Sequence, residues 1–513
     1  MKRTVTSTSN IDNTANKQKT TNPSQTSQTQ NKENTTKRNT ASTSQPPSAK
    51  QVNSSSSSSA TQRDSSKQES KPSQQSGDKS QKKQSLKLND RDVVLIDGVR
   101  TPFLQSFTSY KNLMGYELAS HALLGLVKRT KIDKSLPEYC IMGTVIQEVK
   151  TSNIAREALL SSGFSDKIPA HTVTMACISS NAAIATGVAN ISSGQNDLVI
   201  AGGVDFMSDV PIRYPRSMRK IMLSLNRAKS LPQRLGLMSQ MISFKNFTPE
   251  APSIAEFSTG EIMGQSADRL AAAFDVSRKD QDEYAFRSHK LAQEATEKGY
   301  LDDVVPYHVA GEADVISKDN GIRVSTLEKM GSLKPAFIKP HGTITAANSS
   351  FVTDGASASL ISSVEKAKEL GLKPKAYLRR YVFVSQDPKD QLLLGPAYAT
   401  AKLLDQTGLT LDDIDVFEFH EAFAGQILAN LNALNSDYFA KKYLNRSGKV
   451  GAIPMDKFNL WGGSLSIGHP FGATGVRLVT TTANRLIRED KRLGLVAACA
   501  AGGLGHAMLV ERY

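Results

Sequence analysis

The sequence predicts an α/β fold, and three observations carry the prediction. Short apolar strands alternate with helical stretches from Asp92 onward. An order of helix, strand and glycine pair occurs early and returns near the C-terminus, which is consistent with a duplicated unit. The first 87 residues share neither pattern: from Met1 to about Lys87 the chain is Ser, Thr, Asn, Gln and Lys, including the run Ser54 to Ser59, with no Phe, Tyr or Trp. Such a segment cannot bury enough apolar surface to offset the entropy of ordering it. Residues 1–89 therefore read as a disordered low-complexity leader, and the rest of the 513 residues as two core domains.

The leader also holds most of the charge. It has 15 Lys and Arg against 5 Asp and Glu, so of the formal +14 only +4 belongs to the folded body. That near-neutral body argues against a nucleic-acid-binding protein, because the high pI does not come from a basic face. Met1-Lys2-Arg3, many hydroxyl residues and few acids make the leader compatible with a mitochondrial presequence; a plain solvated tail is the other reading. No apolar run reaches the roughly 18 residues needed to span a membrane, and no secretory h-region follows the first basic pair. Cys140, Cys177 and Cys499 are the only cysteines, too few for a disulfide framework and suited to a reducing compartment.

Taken in order, Val93 to Ile96 reads as the first strand, followed by a helix around Tyr116 to Lys128. A helix from Ser180 to Ser193 precedes the strand Asp197 to Ala201, which runs into Gly202-Gly203. The late counterpart is the helix Gly475 to Arg488, the strand Gly494 to Ala498 and then Gly502-Gly503. Between the halves, about 212–340 reads as an insertion that contains a helix from Ser277 to Gly299. Its first part, Arg213 to Phe247, interleaves eight basic residues with Met, Leu and Ile and has no acid. That mixture suits a surface that meets anionic lipid, phosphates or a partner protein, and equally a solvated basic face over an ordinary core.

Four places could carry chemistry. Cys177 stands just before the small-residue stretch Ala182 to Gly187, at the start of a helix whose dipole is expected to favour the thiolate; the bland alternative is a buried core cysteine. His469 lies in Gly468-His469-Pro470-Phe471-Gly472, a turn that suits an imidazole held in one orientation to move a proton or face an oxyanion; a loop histidine is otherwise structural or exposed. Cys499 ends an apolar strand and precedes Ala500-Ala501-Gly502-Gly503, whose N–H groups could bind an oxyanion; as packing it would be inert. His420-Glu421-Ala422-Phe423 opens a helix from Ala424 to Leu434, where His420 could hold a water or carbonyl and Glu421 complements the dipole. An HExxH zinc site is not completed, since Ala424 holds its last position.

The order and local sequence of these signals resemble the thiolase family from about Val94 to Tyr513. Cys177-Ile178-Ser179 is similar to its Cys-x-Ser, His420 to Phe423 to its Asn-Glu-Ala-Phe with one change, Gly468-His469-Pro470 to its Gly-His-Pro, and Cys499-Ala500-Ala501 to its Cys-x-Gly with the last residue changed. Val99 to Phe103, Thr345 to Ser350 and Thr353 to Ala356 add to the likeness, with Ser350 at the serine that contacts CoA. Thr174, His420 and Ala501 are departures; together with Val384 to Lys389, Trp461-Gly462-Gly463 and the Arg213 to Phe247 segment they resemble the beta-subunit subclass of the mitochondrial trifunctional enzyme.

The resemblance implies duplicated βαβαβαββ halves in a layered α-β-α-β-α arrangement, with an N-terminal domain at 90–362, an inserted loop domain at about 212–340 and a C-terminal domain at 363–513. It implies a 3-ketoacyl-CoA thiolase of beta-oxidation in which His469 activates Cys177, Cys499 moves the second proton, His420 holds a water, and the N–H groups of Cys177 and Ala501 form an oxyanion hole. CoA and acyl-CoA would be substrates, with no metal and no permanently bound cofactor. The partners implied are a second copy of the chain, an alpha subunit and the mitochondrial inner membrane through 213–247, and the location the mitochondrion. Biosynthetic acetyl-CoA acetyltransferase and a non-catalytic lipid-binding or scaffold protein on the same fold are the rival readings.

Overall fold

The computed structural model describes residues 91–513, so the reading of residues 1–89 lies outside the described residues. The first half runs β1 (Val93–Arg100), the two-residue β2 (Leu104–Gln105), α1 (Gly115–Thr130), β3 (Tyr139–Gly143), α2 (Ile154–Ser161), β4 (Ala170–Val173), α3 (Ser179–Ser192) and β5 (Leu198–Asp205). Five helices follow before the half closes: α4 (Arg216–Arg227), α5 (Leu231–Met241), α6 (Met263–Ala273), α7 (Arg278–Glu297) and α8 (Leu327–Gly331) lead to β6 (Thr353–Ser363). After α9 (Val364–Glu369) the second half runs β7 (Ala376–Ser385), α10 (Gly395–Thr407), β8 (Val416–Phe419), α11 (Ala424–Leu434), α12 (Asp437–Tyr443), α13 (Ser464–Ile467), α14 (Thr474–Arg488), β9 (Leu493–Ala500) and β10 (Leu504–Arg512).

The strands order as β4-β3-β5-β6-β1-β7-β10-β9-β8. Read from the middle outward the two sides match: β6 and β10 lie antiparallel to β1 and β7, and the parallel pairs β3·β5 and β8·β9 lie beyond. The short antiparallel pairing of Val94 with Tyr377 and Leu95 with Ala376 joins the two sides. The second half lacks a counterpart to β4; only the single bridge of Phe417 with Phe458 marks its place.

Period-two alternation divides the core into layers. Val94 and Ile96 of β1 pack with α1, whereas Val93 and Leu95 pack with Ile184 of α3 and Val479 of α14. In β9, Leu495 and Ala497 face Leu403 of α10 and Ile427 of α11, while Val496 and Ala498 face the same central helices. Helices thus cover both faces of each half, which is why the strands are apolar throughout and not alternating. The predicted helices around 116–128, 180–193, 277–299 and 475–488 all form, with Ser277 capping α7 through Asp280 N–H. The strand at 197–201 continues to Asp205, through both glycines, because a Cβ on Gly203 would lie 1.8 Å from the Gly472 carbonyl oxygen.

The Arg213 to Phe247 stretch folds into α4 and α5 but does not cover a core. Met218 is the one buried side chain of the two helices, and Leu231, Leu235, Ile242 (77% exposed) and Phe244 (94% exposed) stand in water. The alternative of a solvated basic face over ordinary packing therefore does not describe this segment. No helix among the described residues is long and apolar enough to cross a membrane.

Candidate active site

The site forms where α3 and α14 begin side by side. Val476 N–H donates to Ser180 Oγ at 3.2 Å, and a Cβ on Gly475 would lie 2.3 Å from Asn181 Oδ1, so the two helix starts have no room to separate their turns. Cys177 precedes α3 and His469 precedes α14, so the contact between the two helix starts brings together segments nearly 300 positions apart.

Cys177 projects from a sharp turn. Ala176 sits in the left-handed region at φ 45°, a conformation that costs a residue with a Cβ roughly 1 kcal/mol. Ser179 holds the turn: its Oγ accepts from Met175 N–H at 2.8 Å and donates to the Ala176 carbonyl at 2.6 Å. The expectation that the helix dipole leaves a resting thiolate is not met. Burial pushes the Cys177 thiol up to about 12, against the backbone N–H groups of Ala501 and of Cys177 itself, and the charges of Asp205 and Glu256 add to the rise. Desolvation of a full charge outweighs the partial charge of a helix end. With a protonated resting thiol, alkylation of Cys177 by iodoacetamide is expected to quicken about tenfold per pH unit from pH 7 to 10. A plateau at neutral pH would show instead a preformed thiolate.

Cys499 lies one residue before the end of β9, buried, opposite Gly505. Burial raises its thiol strongly, and the nearby Cys177 raises it further, so the two sulfurs share one site. The turn beyond is built for close approach. Gly502 and Gly503 take φ 83° and 69°, while Ala501 keeps a negative φ that an alanine tolerates. Ala501 N–H points at the Cys177 sulfur, and Gly502 N–H donates to Glu256 Oε1 at 2.9 Å, tying the inserted segment to the turn.

His420 and His469 face each other with ring centroids 4.0 Å apart. His469 is anchored through its N–H to Thr353 Oγ1 at 3.0 Å and through Nδ1 to Thr474 Oγ1 at 2.7 Å. The Asp205 carboxylate at the end of β5 accepts from Gly472 in the same turn, and from Val145 and Ile146 N–H at 3.1 and 2.9 Å. Burial depresses His469 to about 3, and the Arg477 charge adds to the effect; His420 falls well below the usual imidazole range by burial and by the charges of His469 and Arg477. Both rings are neutral at physiological pH, and the Nε2 atom of each is buried with no hydrogen-bond partner among the described residues. His420 Nδ1 meets Ser464 Oγ at 3.0 Å. Glu421 is turned away and accepts from Tyr284, Ser288, Asn459 and Leu465, which fits its structural reading. Ser350 donates its N–H to the Ala422 carbonyl at 3.0 Å, next to the His420 loop.

The arrangement offers a thiol beside backbone N–H donors, a second thiol, and two neutral imidazoles with free Nε2 atoms. The match to known proteins fits it. The N-terminal and C-terminal domain models of thiolase match residues 93–365 and 372–512. The chain belongs to the thiolase family. Over 432 residues it is 65% identical to the mitochondrial trifunctional enzyme subunit beta of Homo sapiens, covering 84% of this chain and 91% of that one. It is 61% identical to a probable 3-ketoacyl-CoA thiolase of Caenorhabditis elegans, covering 83% and 95%. The crystal structure of human mitochondrial 3-ketoacyl-CoA thiolase in complex with CoA aligns with a TM-score of 0.69 at 27% identity, covering 83% and 98%.

This thiolase is accordingly an acyltransferase. Three of its site residues escaped the sequence reading: Asp205, Ser464 and Arg477. The available signal was a charged or polar side chain inside an otherwise apolar run, as at Val476-Arg477-Leu478-Val479; partners from distant segments make such placement affordable, and they are not visible in one dimension.

Proposed function

We propose that this thiolase cleaves 3-ketoacyl-CoA with free CoA to acetyl-CoA and a shortened acyl-CoA in fatty-acid beta-oxidation, with Cys177 as nucleophile. What supports the assignment is that the Ala501 N–H favours the Cys177 thiolate while Cys499 is close enough to feel its charge. His469 Nε2 takes the Cys177 proton, and the sulfur attacks the 3-keto carbon. The C2–C3 bond breaks, Cys499 protonates the departing carbanion, and acetyl-CoA leaves an acyl thioester on Cys177. The Cys499 thiolate then deprotonates a second CoA, whose sulfur attacks the thioester; Cys177 departs and recovers its proton from His469. Charge develops on oxygen twice. His469 and a water held by His420 meet one oxyanion, and the N–H groups of Cys177 and Ala501 meet the other. The scheme uses CoA and acyl-CoA as substrates, with no metal and no resident cofactor. We assign Ser350 to CoA contact, supported by its tie to Ala422.

Thiolysis of 3-ketoacyl-CoA substrates from short to long chains tests the substrate reading. Activity rising with chain length is expected; activity confined to acetoacetyl-CoA would make the enzyme an acetyl-CoA acetyltransferase instead.

The relatives' names support a mitochondrial location, and the exposed α4–α5 surface supports attachment to the inner membrane from the matrix side. A catalytic homodimer and an alpha subunit are the protein partners of this reading. Full-length protein is expected to co-sediment with cardiolipin vesicles, and Ile242→Glu with Phe244→Glu to lower the bound fraction severalfold while thiolysis persists. Unchanged sedimentation in the double variant would remove the membrane role from this surface and leave the alpha subunit as its partner.

A further inference from the structure

The two facing histidines are held by hydroxyls of opposite commitment. A hydroxyl has a single proton to give. Thr474 Oγ1 lies 2.9 Å from the Pro470 carbonyl oxygen, which can only accept, so an approach that close requires the Thr474 proton between them. Toward His469 Nδ1, 2.7 Å away, the same oxygen must then accept. Ser464 is in the reverse position. Its Oγ receives a hydrogen bond from an Arg477 guanidinium N–H at 2.9 Å, and a guanidinium can only donate. The Ser464 proton has no other acceptor among its contacts than His420 Nδ1, 3.0 Å away.

We propose that Thr474 and Ser464 lock the paired imidazoles in opposite tautomers, leaving His469 Nε2 as a bare lone pair and His420 Nε2 as an N–H donor. Both Nε2 atoms are buried and free of protein partners, so the difference is expressed toward whatever enters the site. In the resting site His469 Nε2 can then only receive a proton, and it becomes a donor once it holds the Cys177 proton, while His420 Nε2 donates to a water or an oxyanion from the start. Arg477 enforces this arrangement, since its fully buried guanidinium always points a donor at Ser464 and never accepts. Ser464, Thr474 and Arg477 are positioning residues, and the proposal rests on the catalytic reading of His469 and His420 given above.

Neutron diffraction from crystals of the unaltered, deuterium-exchanged protein reads the proton positions without any substitution. Deuterium on His469 Nδ1 and on His420 Nε2, with the other ring nitrogens bare, is the expected result. Deuterium on His420 Nδ1 or on His469 Nε2 would overturn it. A kinetic comparison reads the consequence. Ser464→Ala is expected to lower kcat for thiolysis by roughly tenfold with KM changed less than about twofold, and Ser464→Thr, which keeps the hydroxyl, to restore most of the rate. Equal losses in the two variants, or a wild-type kcat in Ser464→Ala, would count against the tautomer lock. Failure of the catalytic reading looks different: Cys177→Ala would then keep its turnover while the neutron positions stayed as described.

Discussion

Cys177→Ala is expected to reduce thiolysis by at least about 10³-fold while leaving the thermal transition almost unmoved. The residue as a whole is partly exposed although its sulfur is desolvated, and its hydrophobic contacts are modest, so the fold loses little. Chemistry loses its only placed nucleophile. Cys499 is not expected to substitute, because it is deeply buried and the proposed scheme needs it for the second proton transfer. Cys177→Ser is the sharper variant. A serine keeps the turn, the Ala501 N–H and the base, but its hydroxyl is a far poorer nucleophile, and acyl-enzyme formation in single-turnover experiments should fall by a comparable factor. Turnover within about tenfold of the unaltered protein in either variant would end the assignment of Cys177.

The largest stability effect is expected at Glu418. Its carboxylate is fully buried on β8 between two fully buried guanidiniums, 2.8 Å from Arg485 and 3.8 Å from Arg477. Arg485 has further acceptors in Glu489 and the Phe417 and Lys457 carbonyls. Among the described residues Arg477 has only Ser464 as a hydrogen-bond partner, so without Glu418 its buried charge keeps only the weaker influence of Glu421 and Asp303. Glu418→Ala should lower the unfolding free energy by about 3–5 kcal/mol, measured by urea or heat. Adding Arg477→Met should return part of that loss, because the stranded charge is then gone. A single-variant loss below about 1 kcal/mol would mean that water reaches the guanidiniums.

Much of this was readable from the chain. Strands and helices that carry strong apolar periodicity appeared where expected, α11 over the same Ala424–Leu434 span. Cys177 lies near Cys499 and His420 faces His469, and each of the four stands at or near the end of an element, where element boundaries are marked in sequence by glycine, proline and small residues. Two kinds of fact stayed hidden. The ionisation of Cys177 depends on how deeply three separate segments bury it, so the local helix start pointed the wrong way. The missing third strand of the second half was also invisible, since 450–463 mixes strand-like apolar residues with Gly451, Pro454, Gly462 and Gly463 and passes as either loop or edge. Its irregular course delivers the Asn459 side-chain amide to Glu421.

The pairing of β1 with β7 makes one continuous sheet from two halves that divide the chemistry unequally. On the proposed assignment the nucleophile belongs to the first half, and both histidines, the second thiol and Ala501 to the second. Neither half alone is therefore a weakened enzyme; each is an inert one. On that assignment an acyl group can be processed only after both halves have docked, so the pairing of β1 with β7 is also the step that assembles the enzyme.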